Sequence, residues 1–279
     1  MGLKIIMINK KYIVCILIVT IISIATLSLY PYSSKLQKDT FGEKTKGYIA
    51  IIIDDFGNNG KGTEAMLNLN IPITVAIMPF LDSSIKDGEK ANEKGFEIIL
   101  HMPMEPISGK PSWLGPGAIK CAMTNQEIQL NINNALDELK WAAGMNNHMG
   151  SKVCQDRKSM EAILLSAKSK GIYYIDSKTV ENSIAAEVAE DLGVPYLARD
   201  IFLDNIKKQE NVEAQLMKLA NIALKRGYAI GIGHVGPEGG DVTVKAIKKM
   251  YPKISDKGVK FVYVSDIFSI IDHAKGDSQ

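Results

Sequence analysis

A chain of 279 residues that is 46% hydrophobic and 23% charged has ordinary globular composition, enough for one large domain or two small ones. Its 33 basic and 31 acidic residues leave a net charge of +2, and no Lys/Arg stripe with interleaved aromatics appears. Nothing at this level points to a nucleic-acid or polyanion partner.

The N-terminus stands apart from the rest. Lys4, Lys10 and Lys11 precede the run YIVCILIVTIISIATLSLY over residues 12–30, which is uncharged and mostly apolar. About 20 such residues can cross a bilayer as a helix. Lysines before the run keep the N-terminus inside and send the rest across. Residues 1–32 are therefore predicted to be a transmembrane signal-anchor, with a cleaved secretory signal or a buried core helix as the alternatives. The stretch SSKLQKDTFGEKTK, residues 33–46, is polar and reads as a linker. Residues 47–279 form the globular part, expected outside the cytoplasm and tethered to the membrane. Its two cysteines, Cys121 and Cys154, could pair there but make no disulfide framework.

From residue 48 short apolar runs alternate with segments of helical spacing. Strands are predicted at 48–53, 73–78, 97–100, 146–149, 173–175, 195–198, 229–232 and 260–264. Helices are predicted at 125–143, 160–170, 184–192, 212–226 and 242–250. Seven or eight strand-helix units in this length predict an α/β fold, a deformed (β/α)7–8 barrel preceded by the transmembrane helix. A doubly wound open sheet is the rival. It would carry a glycine-rich phosphate loop after the first strand, and DDFGNNGKGTE fits neither the GxGxxG nor the GxxxxGK[ST] spacing.

The chemistry-bearing residues follow the strands. Asp54 and Asp55 end YIAIIIDD, His101 follows FEIIL, His148 lies in NNHMGS and His234 follows YAIGIG. In a barrel of this kind the C-terminal strand ends open on one face, so these groups gather there. Adjacent carboxylates at the end of an apolar strand are costly unless a cation or donors lie nearby. Strand alternation would send the two aspartates to opposite sides, one to ligate a metal and the other to take a proton. A helix cap followed by a turn is the plainer reading of the same pair. Glu105, four residues after His101, could converge on the same ion, contact substrate or lie on the surface. His148 is a third candidate ligand. Asp176, Arg199 and Asp200 end the next strands and could orient a base or bind substrate hydroxyls, although helix capping explains Asp176 equally well. His234 suits proton donation to a leaving amine. His273 lies in a polar tail.

Taken in order, YIAIIIDDFG, ITVAIMPF, EIILHMPMEP, NNHMGS, YYIDSKT, ARDIFLD and GIGHVGPEG resemble the divergent polysaccharide deacetylase family. That family is related to the carbohydrate esterases that remove N-acetyl groups from chitooligosaccharides and peptidoglycan. The resemblance covers roughly residues 47–266. It implies a deformed barrel of about seven strands and a divalent metal, zinc foremost, with manganese, cobalt or nickel as alternatives. It also implies that Asp54 is the base, that Asp55 and His101 are ligands, and that His234 is the acid. The related deacetylases place two ligand histidines four apart; here Glu105 stands where the second would be, which leaves His148 as the third ligand and Glu105 as a replacement or supporting group.

The expected function is metal-dependent removal of an N- or O-acetyl group from a cell-envelope glycan such as peptidoglycan. The rival is a non-catalytic glycan-binding or scaffold protein that keeps the barrel and metal site. A glycoside hydrolase using Asp54 and Asp200 is a further alternative, but it leaves the histidines without a role.

Overall fold

The computed structural model describes residues 45–276. The predicted transmembrane segment and most of the linker lie outside them, and no helix among the described residues is long and apolar enough to cross a membrane.

Strands and helices alternate along most of the chain. β1 (Gly47–Phe56) leads to α1 (Thr63–Leu67), β2 (Thr74–Ile77), α2 (Ser84–Glu93) and β3 (Glu97–Met104). Then come α3 (Asn125–Glu138), β4 (Ala142–Met149), α4 (Arg157–Lys170), β5 (Tyr173–Asp176) and α5 (Ala185–Leu192). β6 (Tyr196–Ala198), β7 (Ile201–Phe202), α6 (Gln209–Arg226), β8 (Tyr228–His234), α7 (Asp241–Ser255), β9 (Val259–Val262) and α8 (Val264–Gly276) complete the fold.

The pairings between these strands are parallel, in the order β6-β5-β4-β3-β2-β1-β8-β7, with β9 also on β1. The order ends at β6 on one side and β7 on the other. These two are consecutive in the chain and separated by Arg199 and Asp200 alone. The result is a curved α/β sheet, a barrel left incomplete between β6 and β7. Asp200 sits at that corner. Its backbone N–H donates to Ile230 O, and its carboxylate accepts from Ile230 N and from Arg226.

Alternation along the strands explains the two cores. Ala50 and Ile52 of β1, Ile99 of β3, Tyr173 and Ile175 of β5, and Ile230 and Ile232 of β8 share the inner cluster. Ile49, Ile51 and Ile53 face the helices in the outer one. Continuing the inner rows by two residues leads to Asp54, His101 and His234. The sequence pattern that fills the barrel thus ends, at the carboxyl ends of the strands, in titratable groups.

Two boundaries differ from the sequence expectation. Helix α3 stops at Glu138, because Leu139 leaves helical geometry, and β4 starts at Ala142. Gly144 lies inside β4. A Cβ there would stand 2.2 Å from the Tyr173 ring, so glycine is what lets that ring enter the barrel. The C-terminal segment, expected to be a polar tail around His273, is helix α8. It closes the strand-start end: Val264 and Ile267 are fully buried in the inner cluster, and Glu97 accepts from the N–H groups of Val264 and Ser265. Ile267→Ala is expected to cost about 2–4 kcal/mol, the usual penalty for a buried large-to-small change. Thermal denaturation should show a clear fall in Tm; an unchanged Tm would mean that α8 is not part of the core.

Candidate metal centre

Three strands deliver the central cluster. Asp55 comes from β1, His101 from β3 and His148 from β4. Register places His101 beside Asn146 and Pro103 beside His148, so Asn146 and His148 follow one another on the same face of β4. Asp55 Oδ1 lies 3.3 Å from His101 Nε2 and 3.1 Å from His148 Nδ1. The two ring nitrogens are themselves 3.1 Å apart. Three atoms each about 2.0–2.2 Å from one zinc-sized ion would stand roughly 3.0–3.5 Å from each other. Asp55 Oδ1 is moreover a buried acceptor with no hydrogen-bond partner, a costly arrangement for a lone carboxylate oxygen and a natural one for a ligand. The residues present therefore fit a divalent cation.

The surrounding bonds aim the ligand atoms inward. Asn146 Nδ2 donates to Asp54 Oδ1 at 2.9 Å, so its Oδ1, 2.7 Å from His101 Nδ1, accepts the proton from that nitrogen. This leaves His101 Nε2 with a free lone pair. His148 Nε2 lies 3.0 Å from the Trp113 carbonyl, which takes its proton and leaves Nδ1 facing the cluster. Such partners fix tautomer and ring orientation in metal sites.

Both aspartates approach the same histidine. Asp54 Oδ1 is 3.7 Å from His101 Nδ1, while Asp55 Oδ1 is near Nε2. Simple alternation would have separated them. Asp55 instead adopts φ 69°, and the β1–β2 register shifts between Ile53 and Phe56. A left-handed conformation is strained for a non-glycine residue, although Asp tolerates it better than most. Here it turns the second carboxylate back toward the first.

The family model for divergent polysaccharide deacetylases matches residues 51–268. The chain belongs to that family. It is 31% identical over 204 residues to the uncharacterized protein YibQ of Escherichia coli, the match covering 73% of this chain and 62% of that protein. The uncharacterized protein ATU2773 of Agrobacterium tumefaciens shares the fold at 21% identity, TM-score 0.72, over 81% of this chain and 91% of the other. The peptidoglycan deacetylase PdaC of Bacillus subtilis does so more distantly, at 12% identity and TM-score 0.50, over 83% and 95% of the two chains.

The next groups out are Asp54 and His234, partners in the β1–β8 register. Asp54 is 2% exposed. Burial raises its pKa above the usual carboxylate value, a shift that the charges of His101 and His234 oppose. Asp55 behaves oppositely: burial favours its neutral form, but interaction with His101 and His148 prevails and holds its pKa far below the usual range. Burial likewise disfavours charge on His234, yet the hydrogen bond and charge of Asp204, with Asp54 and Asp55 beyond, lift its pKa to about 9. Asp204 Oδ1 accepts from His234 Nδ1 at 2.8 Å, and its Oδ2 accepts from His234 N and Thr243 Oγ1. The Phe202 ring, 5.6 Å from that of His234, carries the Arg199 guanidinium on it at 3.6 Å.

The other expected site residues have partners outside the Asp55, His101 and His148 group. Glu105 accepts from Lys152 Nζ at 2.6 Å and Cys121 N at 2.9 Å, and does not join the Asp55, His101 and His148 group. The turn after Met104 carries it away from His101, so its i+4 spacing has no helical meaning. Asp176 is fully buried and accepts from Lys178 N, Ser183 Oγ and Tyr196 Oη. Arg199 donates to the Ser177 and Lys178 carbonyls and stacks on Phe202, the ring beside His234. Asp200 serves the sheet corner. Cys121 and Cys154 are free thiols, and burial pushes the Cys154 pKa up to about 12.

Two residues of the site escape a reading by residue type. Asn146 carries no charge, and its only signal is its place two positions before His148. Asp204 closes the run IFLD just as Asp54 closes its own strand, which was the available clue.

Proposed function

We propose that the protein is a metal-dependent hydrolase that removes acetyl groups from an envelope glycan. The observation that carries this reading is the convergence of Asp55 Oδ1, His101 Nε2 and His148 Nδ1 within 3.1–3.3 Å, beside a buried carboxylate and a buttressed histidine. Membership of the family supports the glycan; the apolar run at residues 12–30 supports a membrane-tethered, extracytoplasmic setting.

Asp55, His101 and His148 would hold the ion, zinc being favoured by mixed nitrogen and oxygen ligands. When bound, a divalent ion supplies Lewis acidity toward water and the acyl oxygen. Asp54, raised toward neutrality by burial, takes a proton from the attacking water. Asn146 holds Asp54 and His101 in one frame through its amide. His234 gives a proton to the departing amine, and Asp204 keeps that imidazole oriented and charged.

The test is turnover of acetylated chitooligosaccharide, peptidoglycan and an aryl acetate by the metal-loaded protein across pH. Activity is expected to need Asp54 ionised, so it should rise from acid pH. It also needs His234 protonated, so it should fall as pH passes about 9. Asp204→Asn removes the carboxylate that raises His234 and should move the alkaline fall to lower pH. Absence of turnover on all three substrates would favour the non-catalytic glycan-binding reading.

A further inference from the structure

Beside the metal cleft lies a second groove whose chemistry differs from that of the cleft. The cleft, about 480 Å³, is lined by Asp55, His148, Trp113 and Glu238 among others. The neighbouring groove, about 600 Å³, is lined by Ile107, Lys110, Leu114, Lys120 and Met123, and the two meet at Gly115. Both volumes fall in the range of small-ligand sites. The wall between them is the loop after β3. It is clamped at its base where Glu105 N donates to Ile119 O and Ile119 N donates to Pro103 O. Within it the Trp113 carbonyl holds His148, while the Trp113 side chain is 57% exposed. An indole at the rim of a cleft offers a flat apolar surface on which a ring can pack.

The charge of the groove is one-sided. Lys110 and Lys120 line it and are exposed, and Lys110 Nζ sits 5.5 Å above the Trp113 ring. Glu105 is the acidic residue in the lining, and Lys152 and Cys121 N already occupy its carboxylate. Apolar residues below and two lysines, with the one carboxylate of the lining already occupied, suit a ring with one apolar face and an anionic substituent.

We propose that this groove is a subsite for a carboxylate-bearing sugar, adjacent to the acetylated sugar presented to the metal centre. Lys110 and Lys120 meet the carboxylate, and the Trp113 indole, which lines the adjoining cleft, packs on the neighbouring acetylated sugar. The inference rests on the glycan-deacetylase reading for the neighbouring sugar, but binding can be measured without turnover. The chain has two tryptophans, Trp113 and Trp141. In a Trp141→Phe background, Trp113 fluorescence becomes the binding signal.

The metal-loaded protein is titrated with two oligosaccharides of equal length: a neutral N-acetylglucosamine oligomer and one in which N-acetylglucosamine alternates with glucuronate. The uronate oligomer is expected to bind about 3- to 10-fold more tightly at low salt, the preference shrinking at high salt, as befits exposed charge pairs. Combining Lys110→Gln with Lys120→Gln should erase the preference, so that the variant binds the two oligomers equally. Equal binding of both oligomers, binding of neither, or a preference that survives the double change would overturn the proposal. So would equal displacement by polyglutamate, which would mark a general anion surface. Preference without turnover of either oligomer would sink the hydrolase reading and leave the groove standing; turnover without preference would do the reverse.

Discussion

Asp54→Asn is expected to keep the metal and to lower hydrolysis by about 10²–10⁴-fold, the usual contribution of a general base. The change preserves size. The amide oxygen of Asn at position 54 can still accept from Asn146 Nδ2, so the network that holds His101 survives. What it cannot do is accept the proton from water. Asp54 is also not among the three groups whose atoms converge on one point. Metal content should therefore match the wild type while turnover of acetylated chitooligosaccharide collapses. Parallel loss of metal and activity would make Asp54 a ligand, and unchanged activity would place the base elsewhere. His234→Ala offers the complementary comparison: release of an amine should slow more than release of a good leaving group such as nitrophenol.

His101→Ala is expected to strip most of the metal and, with it, the stability that the metal confers. A ligand held at 100 times its dissociation constant stabilises the native state by about 2.7 kcal/mol through mass action. Chelation should lower the Tm of the wild type and leave that of the variant unmoved. The variant also loses the ring that stands between both aspartates, so its Tm without metal is not a clean measure; the difference made by chelator is. Asp55→Asn should behave in the same way. Glu105→Gln should not, because that carboxylate is bonded to Lys152 and Cys121 N. Full metal occupancy in His101→Ala would remove His101 from the centre, and loss of metal in Glu105→Gln would restore the residue that the geometry sets aside.

The sites of these changes show how much could be read along the chain. Asp54 and His234 follow apolar runs with inner-cluster residues two and four positions earlier, and His101 follows Ile99 by two, so periodicity predicts one shared face for them. His148 was harder, since its strand begins with Ala142 and contains Gly144, residues with little apolar signal. Its assignment rested on company rather than on its own segment. Asp204 and Asn146 needed a partner to become visible: one supports His234, the other joins His101 to Asp54, across separations of 30, 45 and 92 residues.

The sequence by itself determined the strand-helix alternation, the parallel sheet and the end of the sheet where the histidines and aspartates collect. These follow from local periodicity and from the rule that parallel strands open their carboxyl ends on one side. The tertiary structure decided which of those groups meet. Glu105 and Asp200 had the right chemistry at plausible positions, but Lys152, Arg226 and nearby backbone N–H groups reach them first. Asp55 was expected to diverge from Asp54, and a left-handed turn in its backbone brings the two together on His101. A side chain's role depends on the nearest partner of opposite character. That partner is set by sheet register and backbone twist, neither of which is written in any one segment.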